Sequence, residues 1–188
     1  MIMEIVMFIS CSKNHCDFFP WLTLRRTNGM SRAMKYYYSY EYHGGSDCSS
    51  SQSAERDAVA KFLDGEPSEA ILGAFARQIV KMTAGRTDGW EICFVPEESM
   101  EATERRYSTL ASNLRRRTGV VVRMDALSRQ GGRDARKPEF VCPKADGSNV
   151  ILIGGLVDTG RTINAAAAAL MGAGARSVTG LVAGKTVA

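Results

Sequence analysis

The stretch Val150-Ile-Leu-Ile-Gly-Gly-Leu-Val-Asp-Thr-Gly-Arg-Thr-Ile163 constrains the fold of this chain more than any other. Val150, Ile151, Leu152 and Ile153 form an unbroken apolar run, which reads as a buried strand. Asp158-Thr159-Gly160-Arg161-Thr162 is small and rich in hydroxyls, as a tight turn requires. Ile163 then opens the Ala-rich run 164–171, a strong helix former. Strand, short loop and helix N-terminus together favour an anion. The first backbone N–H groups of the helix have no partner inside it, and the positive end of the helix dipole points the same way.

The rest of the chain supplies similar units. Lys35-Tyr-Tyr-Tyr-Ser-Tyr-Glu-Tyr42 is strand-like and aromatic. Residues 44–53 are a Ser/Gly-rich loop, and 54–63 read as a helix ended by Asp64-Gly65. Pro67 suits the first turn of the next helix, whose apolar stripe is Ile71, Phe75, Ile79 and Met82. A strand is predicted over 90–95, a helix over 100–117, a short strand over 120–122 and further strands at Val150 and Ser177. Strands alternating with helices predict an α/β fold, a parallel sheet flanked by helices on both faces. Residues 1–33 lack any period and read as a poorly ordered N-terminal extension to a domain over 34–188.

The 150–163 stretch resembles the 5-phosphate loop of the type I phosphoribosyltransferases. That family's signature is a run of apolar residues, two acidic residues, two further residues, then Thr-Thr-Gly-x-Thr. Asp158, Thr159, Gly160, Arg161 and Thr162 stand at the Thr-Thr-Gly-x-Thr place. The likeness continues through 165–170, 172–175 and 178–182, and reaches upstream, more weakly, to about Tyr36. The pattern is most like that of the small amidophosphoribosyltransferase-like and ComF-type members. The resemblance implies a type I phosphoribosyltransferase-like fold and a site for 5-phosphoribosyl 1-diphosphate with magnesium.

One departure stands out. The two acidic positions are Gly154 and Gly155. In the family those carboxylates hold the ribose hydroxyls and help organise the magnesium-bound sugar, and glycine offers no side-chain acceptor. By the same resemblance the loop after residue 96 is the diphosphate loop. Its candidates are Glu98, Ser99, Thr103, Arg105 and Arg106, an arginine there being able to fork to a diphosphate. Glu97 and Glu98 would repel that diphosphate unless magnesium intervenes. Arg105 and Arg106 are equally readable as exposed helix charges paired with Glu101 and Glu104. Residues 128–147 match the family's flexible hood, with Arg129, Arg133, Arg136 and Lys137 placed to close over the ligand. A solvated loop is the alternative there.

Two rival readings of the same stretch are open. Gly155 to Thr162 fits the spacing of a P-loop with Arg161 in the lysine place, and a planar guanidinium is a poor substitute for an ammonium. Gly180-Leu-Val-Ala-Gly184-Lys185-Thr186 has one residue too few between its glycines and no room for a following helix. An ordinary βα turn carrying glycine for backbone reasons is the other.

Composition sets the remaining bounds. A hydrophobic content of 45% suits one globular domain with a real core. No apolar run reaches about 18 residues, so no membrane span is expected. Met1 to Ile9 is apolar but short and carries Glu4, which is not the start of a signal peptide. Cys11, Cys16, Cys48, Cys93 and Cys142 are scattered and odd in number, as reduced thiols of a cytoplasmic protein would be. Cys11, His15 and Cys16 are half a metal site without a second half, and neither histidine has a triad motif. Over 101–137 basic residues outnumber acidic ones, which suits a polyphosphate. The aromatics that a single-stranded nucleic acid would stack on are missing there apart from Tyr107.

The expected function is binding of 5-phosphoribosyl 1-diphosphate or a related phosphorylated sugar or nucleotide, with transferase activity weakened or lost. The alternative is a non-catalytic regulatory or assembly module for such a ligand, and a degenerate P-loop protein ranks below both. The expected partners are the phosphorylated small molecule and a second copy of the chain.

Overall fold

The computed structural model describes residues 21–23, 34–44, 49–130 and 138–187. In chain order the elements are β1 (Trp21–Thr23), β2 (Lys35–His43), α1 (Ser50–Leu63), α2 (Glu69–Thr83), β3 (Trp90–Phe94), α3 (Met100–Thr118), β4 (Val121–Arg123), β5 (Ser128–Gln130), β6 (Glu139–Val141), β7 (Asn149–Val157), α4 (Arg161–Gly172) and β8 (Ser177–Val187). The main sheet runs β1-β2-β8-β7-β3-β4. Strands β2, β8, β7, β3 and β4 are parallel to their neighbours, and β1 joins the edge antiparallel. The fold is α/β with a parallel sheet, as the alternation of elements predicts.

Period-two alternation divides the sheet between two cores. On one face Ile92, Phe94, Ile151, Ile153, Leu181 and Ala183 pack with Phe62 of α1, Phe75 and Ile79 of α2, and Tyr107, Leu110 and Leu114 of α3. The Tyr107 ring lies 4.7 Å from that of Phe94, centroid to centroid. On the other face Cys93, Val95, Val150, Leu152 and Val182 pack with Ile163, Ala166, Ala167 and Leu170 of α4. The alanines of α4 let that helix lie close to the sheet. Burial also pushes the Cys93 thiol up to about 12, so it is a neutral core group at ordinary pH.

Local chemistry moves several boundaries away from the sequence reading. Helix α1 begins at Ser50, not at 54, because Ser49 and Gln52 form a capping box: the Gln52 N–H donates to Ser49 Oγ (3.3 Å) and the Ser49 N–H to Gln52 Oε1 (2.8 Å). Ser68 caps α2 by accepting from the Ile71 N–H, so Pro67 precedes the cap instead of lying in the first turn. Strand β7 continues through Gly154 and Gly155 to Val157. Residues 128–147 are not one long connection. They contain the antiparallel pair β5-β6, with Ala145 buried and Phe140 and Cys142 packed on the α4-side core.

Of the N-terminal extension read over 1–33, only β1 falls among the described residues, and Cys11, His15 and Cys16 lie outside them. The five parallel strands and both cores belong to residues from Met34 onward. A chain starting at Met34 loses one three-residue edge strand. It is expected to melt within a few degrees of the full chain in calorimetry, whereas a large drop would show that the N-terminal segment packs as part of the domain.

Candidate functional site

Strands β3 and β7 are neighbours, with Phe94 opposite Ile153 and the Val95 N–H donating to the Ile153 carbonyl at 2.8 Å. Their carboxyl ends therefore open side by side, where ligands of open α/β sheets bind. A pocket of about 360 Å³ lies there, lined by Val95, Val182 and residues 154–163. All five residues of the predicted phosphate loop, and both glycines, are in its wall.

The loop between β7 and α4 is short because β7 runs on to Val157. Gly160 makes the turn at φ 74°, a left-handed conformation that an L side chain rarely adopts, and serves as N-cap of α4. It contributes no side-chain cap. The N–H groups of Arg161, Thr162 and Ile163 therefore have neither an intrahelical acceptor nor a side-chain cap, and all three residues line the pocket. Asp158 and Thr159 are exposed, Thr162 is half-buried and Arg161 is exposed.

The glycine pair faces two ways. A Cβ on Gly154 would stand 3.3 Å from Val182 Cγ1 and 3.6 Å from Val95 Cγ2. A Cβ on Gly155 would collide with Leu63 Cδ2 and lie 4.0 Å from Arg106 Nη1. Apolar side chains thus occupy the room that side chains at 154 and 155 would enter.

The loop after β3 is bound up with itself. Ser99 is the N-cap of α3, accepting from the Ala102 N–H at 3.1 Å. Buried Thr103 donates its hydroxyl to the Ser99 carbonyl (2.9 Å) and accepts from the Glu97 N–H (2.9 Å). Arg106 pairs through Nη1 with Glu97 Oε1 and donates from Nε to the Leu63 carbonyl at 2.8 Å. The sequence reading had this arginine bind diphosphate or pair with Glu101 or Glu104. Its actual partner is nine residues away and off the helix, a spacing that no helical rule suggests. Glu98 and Arg105 are exposed.

The basic stretch is largely engaged within the fold. Arg115 donates to the Val122 carbonyl (3.1 Å) and Arg116 to Asn113 Oδ1 (2.9 Å). Arg117 forks to both carboxylate oxygens of Glu69 at 2.7 and 2.8 Å, and that hydrogen bonding holds the Glu69 carboxyl below its usual range. Of the hood candidates, Arg129 lies half-buried in β5, while Arg133, Arg136 and Lys137 lie outside the described residues. The Gly180–Thr186 near-match to a P-loop is interior to β8. Gly155 likewise lies inside a strand, so Gly155 to Gly160 does not form the open cradle of a P-loop.

Among the described residues no helix is long and apolar enough to cross a membrane. Neither models of known protein families nor curated proteins give a match to this chain.

Sequence reasoning missed Val95 and Val182 as walls of the site and Leu63 as the side chain that fills the room beside Gly155. They come from three separate elements, and only the packing of those elements brings them to β7. Thr103 is expected to matter for stability whatever the ligand. Thr103→Val removes both of its side-chain hydrogen bonds and leaves the Glu97 N–H without its acceptor, while the Ser99 carbonyl keeps the Thr103 N–H, at a cost of about 1–3 kcal/mol. Urea denaturation at unchanged m-value checks this.

Proposed function

We propose that the chain is a type I phosphoribosyltransferase-like protein that seats the 5-phosphate of a phosphorylated sugar or nucleotide at the N-terminus of α4, with transfer of the sugar phosphate weak or lost. The observation that carries this reading is the uncapped first turn of α4 opening into the pocket of residues 154–163. A phosphate there would accept from the N–H groups of Arg161, Thr162 and Ile163 and from the hydroxyls of Thr159 and Thr162. The helix dipole would add to the attraction.

The residues present do not fit a protein-held magnesium ion. Gly154 and Gly155 supply no carboxylate, and among the described residues no group of three His, Cys, Asp or Glu side chains is placed to hold a metal. The pocket positions a phosphate and leaves the ribose hydroxyls without carboxylate acceptors at 154 and 155. This favours the second reading, a non-catalytic module that holds a phosphorylated sugar or nucleotide for regulation or assembly. Leu63, packed into the room beside Gly155, favours it further. A transferase assay on the purified protein, with and without magnesium, separates the two.

Thr162→Val is expected to weaken binding of ribose 5-phosphate by about 1–2 kcal/mol, the scale of one hydrogen bond to a charged group. Unchanged affinity in calorimetry would remove the phosphate site from this loop.

Wild-type transfer from 5-phosphoribosyl 1-diphosphate is expected well below about 1 per second, the low end of ordinary enzyme rates. Gly154→Asp with Gly155→Asp, combined with Leu63→Ala to clear the second side chain, is expected to tighten binding of that ligand or bring out its hydrolysis. Ordinary turnover by the wild type would instead assign the missing work to another carboxylate, with Asp158, Glu97 and Glu98 nearest in sequence.

A further inference from the structure

The two loops that meet at the carboxyl ends of β3 and β7 differ in one respect: no side chain caps the first turn of α4, whereas Ser99 caps α3 and Arg106 is already paired with Glu97. We propose that the Glu97–Arg106 pair closes the site to a second anionic group, so that a diphosphate carried in addition to the phosphate monoester adds no affinity. This inference rests on the phosphate site at α4 proposed above.

The guanidinium of Arg106 borders the position of Gly155, which lines the pocket. It is anchored at two points, Nη1 to Glu97 and Nε to the Leu63 carbonyl at 2.8 Å. Both partners of the ion pair are about three-quarters buried, with side-chain exposures of 26% and 24%. Solvent therefore screens the pair incompletely, and an incoming diphosphate must displace a carboxylate already seated on the fork. Several other groups of the loop are paired with one another. The Glu97 N–H goes to Thr103 Oγ1, the Thr103 hydroxyl goes to the Ser99 carbonyl, and Ser99 Oγ is held by the Ala102 N–H. At α4, by contrast, no side chain caps the first turn. A monoester uses the open loop alone, whereas a diphosphate on the same sugar meets a wall whose cation is neutralised from within.

The test is calorimetry with ribose 5-phosphate and 5-phosphoribosyl 1-diphosphate, each with and without magnesium. On the wild type the two ligands are expected to bind within about threefold of each other, because the diphosphate gains no charge-assisted hydrogen bond. Glu97→Gln frees the fork and is expected to tighten the diphosphate ligand about tenfold while leaving ribose 5-phosphate unchanged. In Glu97→Gln with Arg106→Gln that gain is expected to vanish. The proposal is overturned if the wild type already prefers the diphosphate ligand by about tenfold in either condition, if Glu97→Gln brings no gain, or if the gain survives in the double variant. The wild-type comparison needs no substitution, so it decides even where a variant fails to fold. If wild-type protein does not bind ribose 5-phosphate at all, the phosphate site itself is overturned and this inference falls with it. That result is distinct from binding both ligands with a strong diphosphate preference.

Discussion

Strand β7 is hydrogen-bonded along both edges, to β3 and to β8, and covered on both faces by the two cores. Val150, Ile151, Leu152 and Ile153 are almost completely buried. At about 1.5–3 kcal/mol for each aliphatic side chain removed from water, they anchor the strand firmly in the sheet. The position of the Asp158–Gly160 loop follows from that anchoring. A strand held on four sides delivers its carboxyl end to a fixed place, and α4, packed by Ile163, Ala166, Ala167 and Leu170, fixes the other end of the loop. The three residues between have little freedom left, and Gly160 absorbs the remaining geometric demand with its left-handed backbone.

The same sheet order puts an uncapped helix N-terminus beside a loop whose side chains are paired. On the β7 side, backbone donors lack partners because helix geometry leaves them so and because a glycine stands where a capping side chain would be. On the β3 side, Ser99, Thr103, Glu97 and Arg106 satisfy one another, and α3 starts from that network. The network ties the Pro96–Ser99 loop to α3 and, through the Leu63 carbonyl, to the end of α1. Tyr107, next to Arg106 in sequence, is buried among Phe62 and Phe94, and burial raises its phenol pKa. The polar network and the aromatic core are therefore adjoining turns of one helix, so that rigidity of the loop comes from packing beneath it.

Much of the fold was legible residue by residue. The apolar run at Val150, the stripe of Ile71, Phe75 and Ile79, and the aromatic run at Tyr36 each carry a period that one element type satisfies. Boundaries were less legible where a side chain competed with composition. Ser49 with Gln52 turns a Ser-rich stretch that reads as loop into the first turn of α1, a capping signal that was present but outweighed by the polar run. Residues 128–130 and 139–141 are short and polar. Their pairing as β5 and β6 depends on a partner strand, and local propensity does not supply one.

The sequence by itself determined the α/β class, the place of the β7–α4 loop and the absence of side-chain carboxylates at Gly154 and Gly155, because each depends on residues close together in the chain. Only the tertiary structure decided what surrounds that loop. Val95 and Val182, from the end of β3 and from β8, meet Gly154 on one face of β7, and Leu63 of α1 meets Gly155 on the other, contacts that only the packing of these elements makes. The same holds for Arg106, which the sequence offers as a cation for a ligand. Coulomb attraction acts over a few ångströms in space regardless of separation along the chain, and the turn from β3 into α3 brings Glu97 within that range first.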